Sequence, residues 1–259
     1  MGSHHIGTSG FSFEDWKGEV YPKNIKNHDM LPFYEKELGF DTLEVNFTYY
    51  ALPTHKTMES FYRRTSDDFT FFVKGYKGFT HTKKDEGFKG LCNTFREGLK
   101  PLGKKLKGIL FQFPYAFKPT EDNIKYLEAI KDEFIDFESV IEFRNEMWLK
   151  DRYIDFLKAM SLGICIVDEP KLKGLMPYHP VLTSKTGYFR FHGRNENWFN
   201  APSEVKYDYL YSEEELKGFA PSIRAITEKS YVTFIYFNNC HLGKAVRNAW
   251  RLKELLKGN

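Results

Sequence analysis

Short runs of β-branched and aromatic residues alternate along this chain with longer stretches whose apolar positions recur every three or four residues. The short runs, at residues 6–10, 42–48, 69–75, 108–113, 139–144, 164–168, 187–192 and 231–238, predict eight strands. Helical patterns occupy roughly 29–38, 54–65, 89–102, 120–134, 149–161, 213–229 and 241–257. In the last of these, Leu242, Ala245, Val246, Ala249, Leu252 and Leu256 share one helical face. Strand followed by helix, repeated, implies parallel strands joined by crossovers. Eight such units are expected to close into a single (β/α)8 TIM-type barrel over residues 6–259. Met1–His5 (MGSHH) reads as an appended leader and is set apart.

Within the strands a second pattern appears. Residues two apart share a face, and several runs place polar residues at that spacing with apolar residues between. Glu44 pairs with Asn46, Glu142 with Arg144, Arg190 with His192, and Tyr236 with Asn238, while Gln112 stands between two phenylalanines. Ser9, Lys74 and Asp168 close their own strands. The apolar partners are expected to face the helices and the polar set to face inward, at the strand ends where such barrels keep their chemistry. Burying this many charges is costly unless each is paired. A mutually neutralising structural network is therefore the competing expectation.

Composition narrows the classes. The 259 residues carry 38 Lys and Arg against 35 Asp and Glu, a net charge of +3 that neither demands nor excludes a polyanionic partner. Cys92, Cys165 and Cys240 form no CxxC pair, which argues for a reducing, cytoplasmic setting without a disulfide framework. No run of about 18 apolar residues exists to span a membrane. Aromatics, at 17%, are abundant, and Trp198, Tyr207, Tyr209 and Tyr211 crowd the connection after the seventh strand.

Blocks distributed through the chain carry a family resemblance. Gly7-Thr8-Ser9-Gly10-Phe11, Trp16-Lys17-Gly18 and Val20-Tyr21-Pro22 open it. Glu44 to Tyr50, Thr80-His81, Phe111 to Pro114, Glu142-Phe143-Arg144, Val167 to Pro170, Tyr188 to Arg194 and Phe237 to Asn239 follow in order. Together they resemble the YecE-like family, also called domain of unknown function 72, over nearly the whole length. Phe11 departs from the Trp that many relatives carry. The resemblance implies a TIM-type barrel and brings no reaction with it.

Three functions are expected from the residues. In the first, a phosphate-bearing ligand is clamped by Arg144, Arg190 and Arg194, near Asn238-Asn239 and the start of the last helix. Asn46, Gln112 and Asn238 would orient it, with Ser9, Lys74, His81, Trp148, Trp198 and Asn239 as further contacts. The second adds hydrolysis, with Glu142, Asp168 and Glu44 as acid–base or metal-facing carboxylates and His192 as proton shuttle. A divalent metal has thin support because only His192 offers an imidazole on a strand, and a metal-free glycosidase-like carboxylate pair is the variant. The third is a nucleic-acid binder using Lys83-Lys84, the lysines at 100, 104, 105 and 107, and the aromatic loop.

Overall fold

The computed structural model describes residues 2–81, 87–197 and 202–258. Nine strand segments lie among them: β1 (Ser3–Thr8), β2 (Thr42–Val45), β3 (Thr70–Lys74), β4 (Leu106–Gln112), β5 (Ser139–Glu142), β6 (Gly163–Ile164), β7 (Ile166–Asp168), β8 (Thr186–Phe191) and β9 (Val232–Phe237). The helices are α1 (Met30–Lys36), α2 (His55–Arg63), α3 (Lys77–Thr80), α4 (Phe88–Leu99), α5 (Glu121–Glu133), α6 (Asp151–Ala159), α7 (Ser203–Lys206), α8 (Glu213–Lys229) and α9 (Lys244–Lys257).

All strand pairs are parallel, and they form two sheets, not one closed ring. One has the order β1-β9-β8-β7 and the other β2-β3-β4-β5-β6. The expected sixth strand is interrupted at Cys165, so β6 pairs with β5 while β7 pairs with β8. The Cys165 N–H donates to Ile141 O (2.8 Å), holding that seam together. At the opposite seam Ser9 bridges Glu44, and Gly10 N donates to Glu44 O (2.9 Å). Gly7 permits this approach, since a Cβ there would lie 2.3 Å from Thr42 O.

A helix after every strand is also not what forms. Residues 169–185, between β7 and β8, run as an irregular loop. The proline and glycine content of Pro170, Gly174, Pro177 and Pro180 breaks helical continuity there. At the N-terminus, β1 begins at Ser3, within the stretch read as a leader. Ser3, His4 and His5 pair with Val232, Thr233 and Phe234, and His5 stacks on Phe234 at 5.4 Å.

The intervening strand residues do face the helices. Phe111 packs on Phe134 (5.1 Å), Phe143 on Trp148 (4.2 Å) and Phe191 on Phe219 (4.7 Å), each ring pair adding about 0.5–1.5 kcal/mol beyond its burial. On the opposite strand faces, Phe72, Tyr188 and Phe234 meet in a second aromatic layer. The polar residues sit one step further toward the C-terminal strand ends. Among the described residues no helix is long and apolar enough to cross a membrane.

Candidate functional site

Above that layer, side chains from both sheets meet in one ladder of alternating charge. The Tyr188 hydroxyl donates to Glu44 Oε2 (2.5 Å), and Arg190 Nη2 donates to Glu44 Oε1 (2.8 Å). Arg190 Nη1 reaches Glu142 Oε2 (2.5 Å), and Arg144 Nη2 pairs with Glu142 Oε1 (2.7 Å). Arg144 Nη1 then pairs with Glu169, whose Oε1 accepts from Met176 N (3.2 Å). Ser9 lies beside Arg190, with Oγ 3.4 Å from Nη2.

Glu44, Glu142 and His192 are fully buried and Arg190 is 1% exposed, whereas Arg144 keeps an exposed edge. Lys74, Gln112, Asn46 and Asn238 are half-buried and lie at the same strand ends. Lys74 Nζ donates to Gln112 Oε1 (3.1 Å) and lies 4.5 Å from the centre of the Tyr49 ring. The Gln112 amide is oriented by its own donation to Phe113 O (2.9 Å).

Burial and charge set the protonation states. Burial pushes the Glu142 carboxyl up, but Arg190, Arg144 and His192 together hold it well below the usual range. Burial lowers Lys74 to about 8, helped by Arg190. Burial raises Glu169 to about 7, against the pull of Arg144. For His192, burial and then Arg144 lower it to about 3, so the ring is neutral at physiological pH. Its Nδ1 is 2.9 Å from Asn238 Nδ2, the amide donating, which leaves the proton on Nε2 facing Glu142 at 3.3 Å.

Several expectations are corrected by this arrangement. Asp168 does not join the ladder: it faces outward, accepting from Arg194 Nη2 (2.8 Å) and the Tyr211 hydroxyl (2.7 Å). The inward residue is Glu169, which the sequence reading passed over. None of Arg144, Arg190 and Arg194 is an open anion clamp, because each guanidinium is committed to two carboxylates; of the three, Arg144 is the one that both belongs to the ladder and keeps an exposed edge. Gly193, at φ +89°, turns the chain so that Arg194 leaves the inner face.

Trp148 packs between strand and helix, fully buried, with Nε1 donating to Phe117 O (2.7 Å). Asn239 is likewise buried, donating to Tyr209 O and Asn248 Oδ1, away from the ladder. His192, neutral and fully buried against Glu142, is placed to orient that carboxylate. In the turn before the last helix Asp15 Oδ2 accepts from Leu242 N (2.8 Å), so a carboxylate stands close to where the sequence places a phosphate.

Of the basic clusters, residues 100–105 precede β4 and so lie at the opposite pole of the strands. Lys105 is buried there, donating to Tyr62 O (2.6 Å) and Thr65 O (2.9 Å) at the end of α2. Tyr211 is buried and Tyr209 donates to Glu215, so two of the three loop tyrosines are structural. Trp198, Lys83 and Lys84 fall outside the described residues. Among the described residues no group of three or more His, Cys, Asp or Glu is disposed to hold a metal. The arginines take the ladder carboxylate oxygens that such a metal would need. His81 is exposed and meets Tyr49 edge-on at 5.4 Å, close enough to Lys74 for that charge to help lower its pKa after burial.

These features define an α/β protein of parallel sheets with a buried charge ladder opening onto a half-exposed polar rim. The chain belongs to the family described as protein of unknown function DUF72, whose model matches residues 5–259. It is 28% identical to the UPF0759 protein YunF of Bacillus subtilis, over 97% of this chain and 94% of that one. A crystal structure of a DUF72 family protein from Thermotoga maritima is 42% identical and superposes with a TM-score of 0.92, covering 98% of this chain and 99% of that one. A xylose isomerase-like TIM barrel protein from Mycobacterium smegmatis shares the fold alone, at 14% identity and a TM-score of 0.52, over 92% of this chain and 91% of that one.

Proposed function

We propose that the C-terminal strand ends bind a small phosphate-bearing ligand. One observation carries the reading, the balance of charge around the rim. Lys74, Arg144, Arg190 and Lys206 stand against Glu44, Glu142 and Glu169. Burial raises Glu169 to about 7, which leaves it partly protonated in neutral solution. Lys206, at the end of α7, is half-buried; burial and Arg144 lower its pKa and Glu169 opposes them. The field over the rim is therefore positive, and low-dielectric walls strengthen it. Asn46 adds a ligand-facing acceptor in this reading, since its buried Oδ1 has no hydrogen-bond partner among the described residues.

The anion contacts in this reading are the exposed edge of Arg144 and the Lys206 ammonium, with Asn46, Gln112 and Asn238 orienting the remainder. Glu142 and Arg190 lie beneath and fix Arg144. We read the two sheet seams as the closing points of one eight-stranded barrel, which gives the rim its ring shape. Three buried free cysteines support a reducing cytoplasmic setting. Calorimetric titration with inorganic phosphate at low and high salt tests the proposal. Binding should weaken with salt and fall about fivefold in Lys206→Ala, the worth of one half-screened charge. Absence of phosphate binding at low salt, with oligonucleotides binding instead, sinks it in favour of a nucleic-acid surface.

A further inference from the structure

We propose that Lys74 is a nucleophilic amine that forms an imine with the carbonyl carbon of a small phosphate-bearing aldehyde or ketone. The inference rests on the anion-binding reading and names the substrate class for that site. Its basis is a contrast among the cations of the strand ends. Arg144, Arg190 and Arg194 each bridge two carboxylates. Lys74 makes no ion pair with a carboxylate among the described residues; its partners are the neutral Gln112 amide and the face of Tyr49.

Register and exposure place the amine for use. Lys74 is the last residue of β3, paired with Leu110, and is half-buried at the C-terminal end of its strand. Thr48 Oγ1 donates to Lys74 O (2.6 Å) and fixes the backbone from which the side chain leaves. An amide acceptor and an aromatic face hold the amine in place, and among the described residues no carboxylate lies at ion-pair distance from it. Burial, Arg190 and Arg144 lower its pKa to about 8 against the opposing charges of Glu142 and Glu44, so an appreciable share is free amine near neutral pH, as imine-forming lysines require.

The chemistry balances without a cofactor. The amine lone pair forms the C–N bond and the carbonyl electrons move to oxygen. That oxygen takes one proton from the nitrogen and one from solvent and leaves as water, giving a protonated imine. Addition of water reverses the sequence and restores the lysine.

The full chain would be incubated with dihydroxyacetone phosphate and sodium cyanoborohydride, which reduces an imine to a stable secondary amine. Peptide mapping by mass spectrometry should find the adduct on Lys74 at least about tenfold faster than on any other lysine. Its labelling rate should rise with pH to a plateau with a midpoint near 8. Lys74→Arg keeps the charge and loses the nucleophile, so it should take no adduct there.

Equal labelling across surface lysines, or none on Lys74, overturns the imine. Retained phosphate binding in that case leaves the anion site standing. Selective labelling of Lys74 by uncharged dihydroxyacetone, with no phosphate binding, keeps the nucleophile and removes the phosphate reading instead.

Discussion

Arg190 and Arg194 lie four residues apart on one segment, and each guanidinium spans two carboxylates, yet they do different work. Arg190 sits inside, 1% exposed, between Glu44 and Glu142. Arg194 sits outside, its side chain 24% exposed, between Asp168 and Glu215. One partner of the outer pair is set by local sequence. Ser212 and Glu215 form a capping box at the start of α8, and the second Glu215 oxygen takes Arg194 Nη1 at 2.9 Å. The inner pair has no local origin and links β2, β5 and β8 across both sheets. The outer network therefore fastens a loop to a helix, while the inner one holds the two sheets in a fixed relation beneath the rim.

The largest expected effect is loss of the inner cation. Arg190→Met leaves the buried Glu44 carboxylate without its ion pair and strips Glu142 of one of its two arginines, and should destabilise the fold by about 3–5 kcal/mol, read as a lower urea midpoint. Arg194→Met removes charge-assisted hydrogen bonds from a partly hydrated site and should cost about 1.5–3 kcal/mol. Adding Glu44→Gln and Glu142→Gln to Arg190→Met should recover most of the first loss, because the uncompensated charges are gone. Equal losses from the two single variants would erase the distinction between the networks.

A pH series sharpens the comparison, because Glu169 ends the inner ladder whereas Asp168, its neighbour, belongs to the outer one. Burial raises the folded Glu169 carboxyl from 4.5 to about 7, with Arg144 opposing and Glu142 reinforcing the rise. Between these values the unfolded chain has released the proton and the folded chain keeps it. The folded state therefore binds more protons, and this group's contribution to stability falls as pH rises through the window. Glu169→Gln removes that dependence. Relative to wild type the variant should gain by up to about 3 kcal/mol between pH 4.5 and 7.5 and stay level above that. Glu142, held low, loses its contribution only in more acidic solution and cancels in the difference. A flat difference across the window means that Glu169 titrates as an ordinary surface carboxylate.

Much of this architecture was legible because alternation marks a face. Glu142 and Arg144 flank Phe143, and Arg190 and His192 flank Phe191, so the inward set could be read wherever a polar residue alternated with an aromatic one. Reading failed where the alternation lapsed. Ile164 to Val167 is apolar throughout, so nothing in it marks which of Asp168 and Glu169 turns inward, and the break at Cys165 gives the position to Glu169. Trp148 and Asn239 sit next to site residues in sequence but on the outer face, where adjacency misleads. Depth was illegible as well. Spacing turns Arg190 and Glu142 toward one interior, but does not show that the two pair or that the pair is sealed beneath Arg144 while Lys74 remains within reach of solvent.

A last variant tests whether the outer network is as separate from the rim as its geometry implies. The Tyr211 hydroxyl donates to Asp168 Oδ2 (2.7 Å) and accepts from Gly193 N (2.8 Å), tying the turn that carries Arg194 to the end of β7. Tyr211→Phe keeps the ring packed on Phe191 and Phe219. Asp168 keeps its Arg194 pair, so the loss should be one hydrogen bond to a carboxylate, about 1.5–3 kcal/mol, and somewhat more if the Gly193 donor finds no new partner. Because none of these groups touches Glu142 or Lys74, phosphate affinity and the Lys74 labelling profile should be unchanged in the same variant. A shift in either would mean that the outer network steers the rim, and the division between the two regions would have to be redrawn.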